Sequence, residues 1–161
     1  MMRSEQRLGL SESHGKQNQD KDMKTTLDDI LLINLKTIVD PRGNLSPIES
    51  GRDVPFEIKR IFYVYGMQQL AQRGLHSHRK TQQFLICLNG AVEVTCKDGI
   101  EEKKFLLNSP KFGLLIPEMI WDELTYLYPD STLLVLSNTF FDKSDYITDF
   151  EEFKKIRESL L

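Results

Sequence analysis

From Leu31 onward, apolar positions come in short runs closed by turn residues. Leu31–Val39 (LLINLKTIV) reads as a strand. Asp40-Pro41-Arg42-Gly43-Asn44 reads as its turn, because proline presets φ and glycine tolerates positive φ. Ile58–Tyr65 (IKRIFYVY) is rich in β-branched and aromatic residues and stops at Gly66. Gln83–Leu88, Asn89-Gly90 and Ala91–Cys96 together predict a two-residue hairpin, which sets Cys87 opposite Val92 and Cys96 opposite Gln83. Asp98-Gly99 predicts a second turn before Lys104–Leu107. Phe112–Ile116 stops at Pro117, and Trp121–Leu127 and Thr132–Ser137 follow.

Only the end of the chain changes period. Phe150, Phe153, Ile156 and Leu160 recur at helical spacing behind a cap at Thr148 or Asp149, which predicts a helix over 149–160. Many short strands with no helices between them predict an all-β antiparallel sandwich or barrel carrying that short C-terminal helix. Residues 1–22 are polar and aperiodic and read as a disordered tail, so the folded domain is expected over 23–161.

Composition narrows the function classes. A chain of 161 residues suits one core, and two independent domains would each be marginal. A net charge of −3 argues against a general nucleic-acid partner, yet a pyrophosphate needs only a few local cations. No apolar run approaches the roughly 20 residues of a membrane span, and the N-terminus lacks an apolar signal core. The expected location is the cytoplasm, with no membrane partner. Cys87 and Cys96 are not opposite each other in the predicted hairpin and are expected as buried free thiols.

The candidate chemistry lies in Gly74-Leu75-His76-Ser77-His78, which holds two of the three histidines. On an extended segment, positions two apart share a face, so both imidazoles project together. Two rings aimed into a barrel can take and give protons near neutral pH. Arg60 and Arg73 are candidates for a pyrophosphate, because a guanidinium fork matches phosphate oxygens. Tyr63 and Tyr65 share one face of their strand and Phe62 takes the other. Trp121 either packs the barrel or walls its cavity.

The block GLHSHRKTQQFLICLNG resembles the first cupin motif, in which two histidines, an acidic or amide residue and a turn glycine fall at these intervals. Gly113-Leu-Leu-Ile-Pro117 followed by Trp121-Asp122 resembles the second, whose metal-binding histidine falls at Asp122. The metal quartet is thus replaced by His76, His78, Gln83 and Asp122. An amide oxygen is a poor transition-metal ligand, so a metal-free acid–base pair is the preferred reading. A facial triad of His76, His78 and Asp122 around non-haem iron is the alternative.

With Val54–Gly66, Arg73–Lys80, Gln83–Gly90 and Phe140–Ile147, the chain resembles the dTDP-sugar 3,4-ketoisomerases, the WxcM-like cupins, over 27–157. The resemblance implies a jelly-roll homodimer, often with an exchanged strand, that uses no metal and no cofactor. It implies conversion of dTDP-4-keto-6-deoxyglucose to the 3-keto isomer, on the way to 3-amino-3,6-dideoxy sugars. By motif match, His76 corresponds to the base and His78 to its partner, with Arg60, Tyr63, Arg73 and Gln83 at pocket positions. Trp121 and Asp122 complete the expected substrate site, although Asp122 departs from the His or Arg of relatives. On this view His76 takes the C3 proton acidified by the C4 ketone and returns it at C4 through an enediol. His78, with Tyr63, moves the proton between the two oxygens. The competing classes are a sugar-nucleotide epimerase or dehydratase, a metal-dependent dioxygenase, and a non-catalytic sugar-binding cupin.

Overall fold

The computed structural model describes residues 24–160; the tail expected over 1–22 lies outside them. A 3-10 turn, Leu27–Asp29, opens the described chain. Thr26 caps it by accepting the Asp28 N–H, while the Asp29 carboxylate accepts the Thr26 N–H. The strands that follow are β1 (Leu31–Asn34), β2 (Ile38–Asp40), β3 (Gly43–Leu45), β4 (Arg60–Val64), β5 (Gln72–His78) and β6 (Gln83–Asn89). Then come β7 (Val92–Lys97), β8 (Glu102–Leu107), β9 (Phe112–Ile116), β10 (Trp121–Tyr126), β11 (Thr132–Ser137) and β12 (Tyr146–Ile147). Helix α1 (Phe150–Ser159) closes the order.

Two five-stranded antiparallel sheets, β1-β9-β6-β11-β4 and β12-β5-β10-β7-β8, enclose the main core. Leu85, Leu114, Leu133 and Val135 from the first sheet meet Val92, Val94, Leu124 and Tyr126 from the second. Fully burying each aliphatic side chain of this kind is worth roughly 1.5–3 kcal/mol. The first sheet is apolar on its outer face as well. There Phe84, Ile86, Leu115 and Leu136 pack with Val54, Phe56 and Ile58, which is why β6 reads as an unbroken apolar run. The jelly-roll expected from the sequence is present.

The hairpin expected at Asn89-Gly90 is not. β6 has β9 on one edge and β11 on the other, so no edge is free for β7, which pairs with β10 and β8 in the opposite sheet. The turn is a corner between sheets. Gly90 takes φ +74, and a Cβ there would lie 2.3 Å from Ser131 Oγ, which also accepts the Ala91 N–H. Cys87 and Cys96 are nevertheless both free and buried. The Asp98-Gly99 turn does join a hairpin: Asp98 Oδ1 accepts the N–H groups of Ile100 and Glu101, and Lys97 pairs with Glu102.

The strand read over Leu31–Val39 divides at Leu35, whose buried side chain joins the outer cluster. Beyond it, β2 and β3 form a separate two-stranded ribbon with every strand residue exposed. α1 matches the helix expected from the sequence. Asp149 caps it by accepting the Glu152 N–H, and Phe153 is fully buried.

Candidate active site

β5 is irregular where the candidate chemistry begins. Asp122 of β10 faces His76, but Glu123 faces Gly74, so Leu75 is bulged out of the pairing. Gly74 and Leu75 take φ values of +77 and +59. A side chain at Gly74 is excluded by contact as well as by conformation, since its Cβ would fall 2.6 Å from Asp122 Oδ1. The bulge thereby leaves room for the Asp122 carboxyl beside the His76 strand.

Between the sheets lies a cavity of about 460 Å³. Its polar wall includes Arg73, His76, Gln83, Asp122, Tyr126 and Tyr146; Phe62, Val64, Leu85, Leu133 and Val135 supply much of the apolar wall. Asp122 is buried, and burial pushes its carboxyl up to about 6, with the neighbouring His76 partly opposing the shift. Such a group exchanges a proton near neutral pH. The Tyr126 hydroxyl is also buried, without a partner among the described residues, and burial raises its pKa to about 12.

The two imidazoles are neighbours with different surroundings. Their ring centroids are 4.9 Å apart and their planes nearly perpendicular. His76 lines the cavity, whereas His78 is only 4% exposed and lies outside its lining. His78 Nδ1 is 2.9 Å from Asp145 Oδ2. Burial, helped by the adjacent His76, pulls the His78 pKa down to about 4 against the opposing pull of Asp145. His78 is therefore neutral at physiological pH. Tyr146, directly opposite His78 in the β12–β5 pairing, packs its ring 4.4 Å from His78 and 5.1 Å from His76.

Of the residues singled out in the sequence, the fold gathers Arg73, His76, Gln83 and Asp122 on the cavity wall, with His78 against His76. Arg60 is close by, its guanidinium over the rings of Phe62 and Phe141 at 5.3 and 5.6 Å. Two others are elsewhere. Tyr63 is 63% exposed on the outer face of β4 beside Tyr65, because strand alternation turns Phe62 and Val64 inward. Trp121 packs against Phe150 and Phe153 of α1 and donates its indole N–H to Glu123, since β10 points Asp122 and Leu124 into the cavity instead. Tyr126, Asp145 and Tyr146 had no local signal in the sequence. Asp145 and Tyr146 lie within the run Phe140–Ile147 that carried the family resemblance, but their contact with the histidines depends on the turn before β12 and on its two-residue pairing with β5.

The iron-binding alternative needs His76, His78 and Asp122 around one point. Among the described residues no group of three or more His, Cys, Asp or Glu side chains is arranged to hold a metal ion. His76 and Asp122 line the cavity, and His78 lies outside its lining. These residues do not fit such a centre.

A jelly-roll with His76, Gln83 and Asp122 on its inner wall defines a cupin. Residues 28–158 match the family described as FdtA, WxcM-like, C-terminal, and the chain belongs to this family of sugar-nucleotide ketoisomerases. It is 38% identical over 124 residues to the TDP-4-oxo-6-deoxy-α-D-glucose 3,4-oxoisomerase of Aneurinibacillus thermoaerophilus, covering 77% of this chain and 89% of that one. The crystal structure of a sugar 3,4-ketoisomerase from Thermoanaerobacterium thermosaccharolyticum, in complex with TDP, superposes with a TM-score of 0.81. It shares 38% identity and covers 84% of this chain and 99% of its own. A TDP-fucose 3,4-ketoisomerase from Campylobacter jejuni superposes with a TM-score of 0.77 at 34% identity, over 82% and 98% of the two chains.

Proposed function

We propose that this chain converts dTDP-4-keto-6-deoxyglucose to its 3-keto isomer, with His76 as the base. The observation that carries the reading is His76 on the wall of a cavity whose volume suits a small-molecule ligand, beside a second imidazole that is held neutral. The C4 ketone acidifies the C3 hydrogen. His76 removes that proton, giving a 3,4-enediol, and reprotonation at C4 completes the isomerisation. The reaction moves protons within one molecule and needs no external oxidant.

The transfer between the two oxygens, expected of His78 and Tyr63, is better served by groups on the cavity wall. Asp122, with its raised pKa, and Tyr146, packed against both imidazoles, are those groups. Arg73, exposed at the cavity wall, is the candidate for the pyrophosphate, and Arg60 lies near enough to assist. The 3-keto product is an acceptor a transaminase requires to install a 3-amino group, which accords with a role in 3-amino-3,6-dideoxy sugar synthesis. The two buried free thiols accord with a reducing cytoplasm. The test is to incubate the enzyme with dTDP-4-keto-6-deoxyglucose and identify the product by NMR. A 3-keto sugar is expected, and recovery of unchanged substrate, or of a product epimerised with its ketone still at C4, overturns the reading.

The working unit proposed is a homodimer. The β2–β3 ribbon exposes Ile38, Val39 and Leu45, and an isolated two-stranded ribbon is marginal in water. Ile61, Tyr63 and Tyr65 add exposed apolar surface along β4. A second copy that covers these residues, or exchanges the ribbon, removes both liabilities.

A further inference from the structure

Asp145 reaches the imidazole pair from 67 residues along the chain. Asp142 caps the 3-10 turn Lys143–Asp145 by accepting the Ser144 N–H, and the Asp145 N–H returns to the Asp142 carbonyl. The turn thus presents the Asp145 carboxylate inward, just before β12 adds Tyr146 to the edge of β5. Oδ2 accepts from Thr81 Oγ1 at 2.5 Å and pairs with His78 Nδ1 at 2.9 Å; Oδ1 accepts the Lys80 N–H at 2.8 Å.

A carboxylate that is only 3% exposed is costly unless its oxygens are saturated with donors. Burial alone would raise the Asp145 pKa, and the bonds from Thr81, His78 and Lys80 outweigh it and hold the group below the usual carboxylate range. An ionised carboxylate accepts only, so the hydrogen of neutral His78 sits on Nδ1 and the lone pair on Nε2. That Nε2 is buried with no hydrogen-bond partner among the described residues. The ring so oriented meets the His76 ring nearly perpendicularly, with centroids 4.9 Å apart. A turn tied down for stability alone is served as well by a neutral hydroxyl or amide; fixing an imidazole tautomer calls for a partner that can only accept, as an ionised carboxylate does.

We propose that Asp145 is a positioning residue: it locks His78 in the Nδ1–H tautomer and a single orientation, and through that ring it sets the placement of His76 toward the sugar. The inference rests on the reading of His76 as the base.

The experiment follows the full chain with its histidine rings labelled with nitrogen-15, beside Asp145→Asn and His76→Asn. In the unsubstituted protein, His78 gives a neutral Nδ1–H signature unchanged from pH 5.5 to 8.5. An Nε2–H ring, or titration within that range, overturns the proposal without any variant having to fold. In Asp145→Asn, the His78 signature becomes mixed and kcat falls about 100-fold with KM within about threefold, a size typical of a lost acid–base arrangement. An unchanged tautomer with kcat within threefold overturns it. If His76→Asn retains turnover, the underlying assignment of the base fails. If His76→Asn is inactive while Asp145→Asn is normal, only the positioning role fails.

Discussion

His76 and His78 meet edge to face, with ring centroids 4.9 Å apart at an interplanar angle of 88°, yet only His76 looks into the cavity. The His-x-His spacing puts both rings on one face of β5, and the pairing of β12 along the edge of β5 separates their duties. His76 keeps access to a ligand. His78 is enclosed against Asp145 and Tyr146 and stays neutral.

His76→Ala should lose turnover by about two to four powers of ten, the usual worth of a general base, while the melting temperature stays close to that of the unsubstituted protein. In deuterated water the unsubstituted protein should exchange the C3 hydrogen of the substrate and the variant should not. Near-normal turnover by the variant removes His76 from the mechanism.

Asp122→Asn separates stability from activity. The fold prefers the neutral Asp122 carboxyl, so this group supports the folded state below its ordinary pKa of 3.8 and burdens it as pH rises through about 6. At pH 8 the burden amounts to roughly 3 kcal/mol, taking 1.36 kcal/mol for each pKa unit. The asparagine variant should therefore match the unsubstituted protein in urea unfolding near pH 3.5 and exceed it at pH 8, while turning over more slowly. A variant less stable at pH 8 contradicts this account of the site.

Gly74→Ala meets the Asp122 carboxyl at 2.6 Å and imposes a side chain on φ +77. Strain of this type costs of order 1–3 kcal/mol. Activity should drop together with stability, because the bulge and Asp122 move as one. Full activity at unchanged stability would mean that the bulge tolerates a side chain.

Trp121 was a candidate cavity wall, and its packing against Phe150, Phe153 and Ile147 gives it another job. Trp121→Ala should cost about 3–5 kcal/mol, as large-to-small aromatic changes in cores do, and Trp121→Phe less. KM for the sugar nucleotide should stay within about twofold in the phenylalanine variant, a size below the cost of a lost substrate hydrogen bond. A much larger rise in KM returns Trp121 to the ligand site.

Val39→Glu combined with Ile61→Glu tests the dimer. Both positions are exposed, so a monomeric fold tolerates the change with little cost. Light scattering should report a shift from dimer to monomer; a dimer that persists at micromolar concentration points to a different interface.

Much of this was already present along the chain. Strand periods, the capped helix at Phe150–Ser159 and the His76-Ser77-His78 spacing are local, and local backbone geometry alone gives them meaning. Register and company are not local. Asn89-Gly90 has the chemistry of a hairpin and serves as a corner between sheets, because β9 and β11 occupy both edges of β6. Alternation could state that Tyr63 and Phe62 face opposite ways, but only the position of the second sheet decides which of them is inside. Asp145 and Tyr146 join the histidines through β12, and long-range pairing of so short a strand depends on what the rest of the barrel leaves open. The residue types and their spacing were thus set by the sequence itself, whereas the division of labour between the two imidazoles arises from which edges and faces the packed sheets leave free.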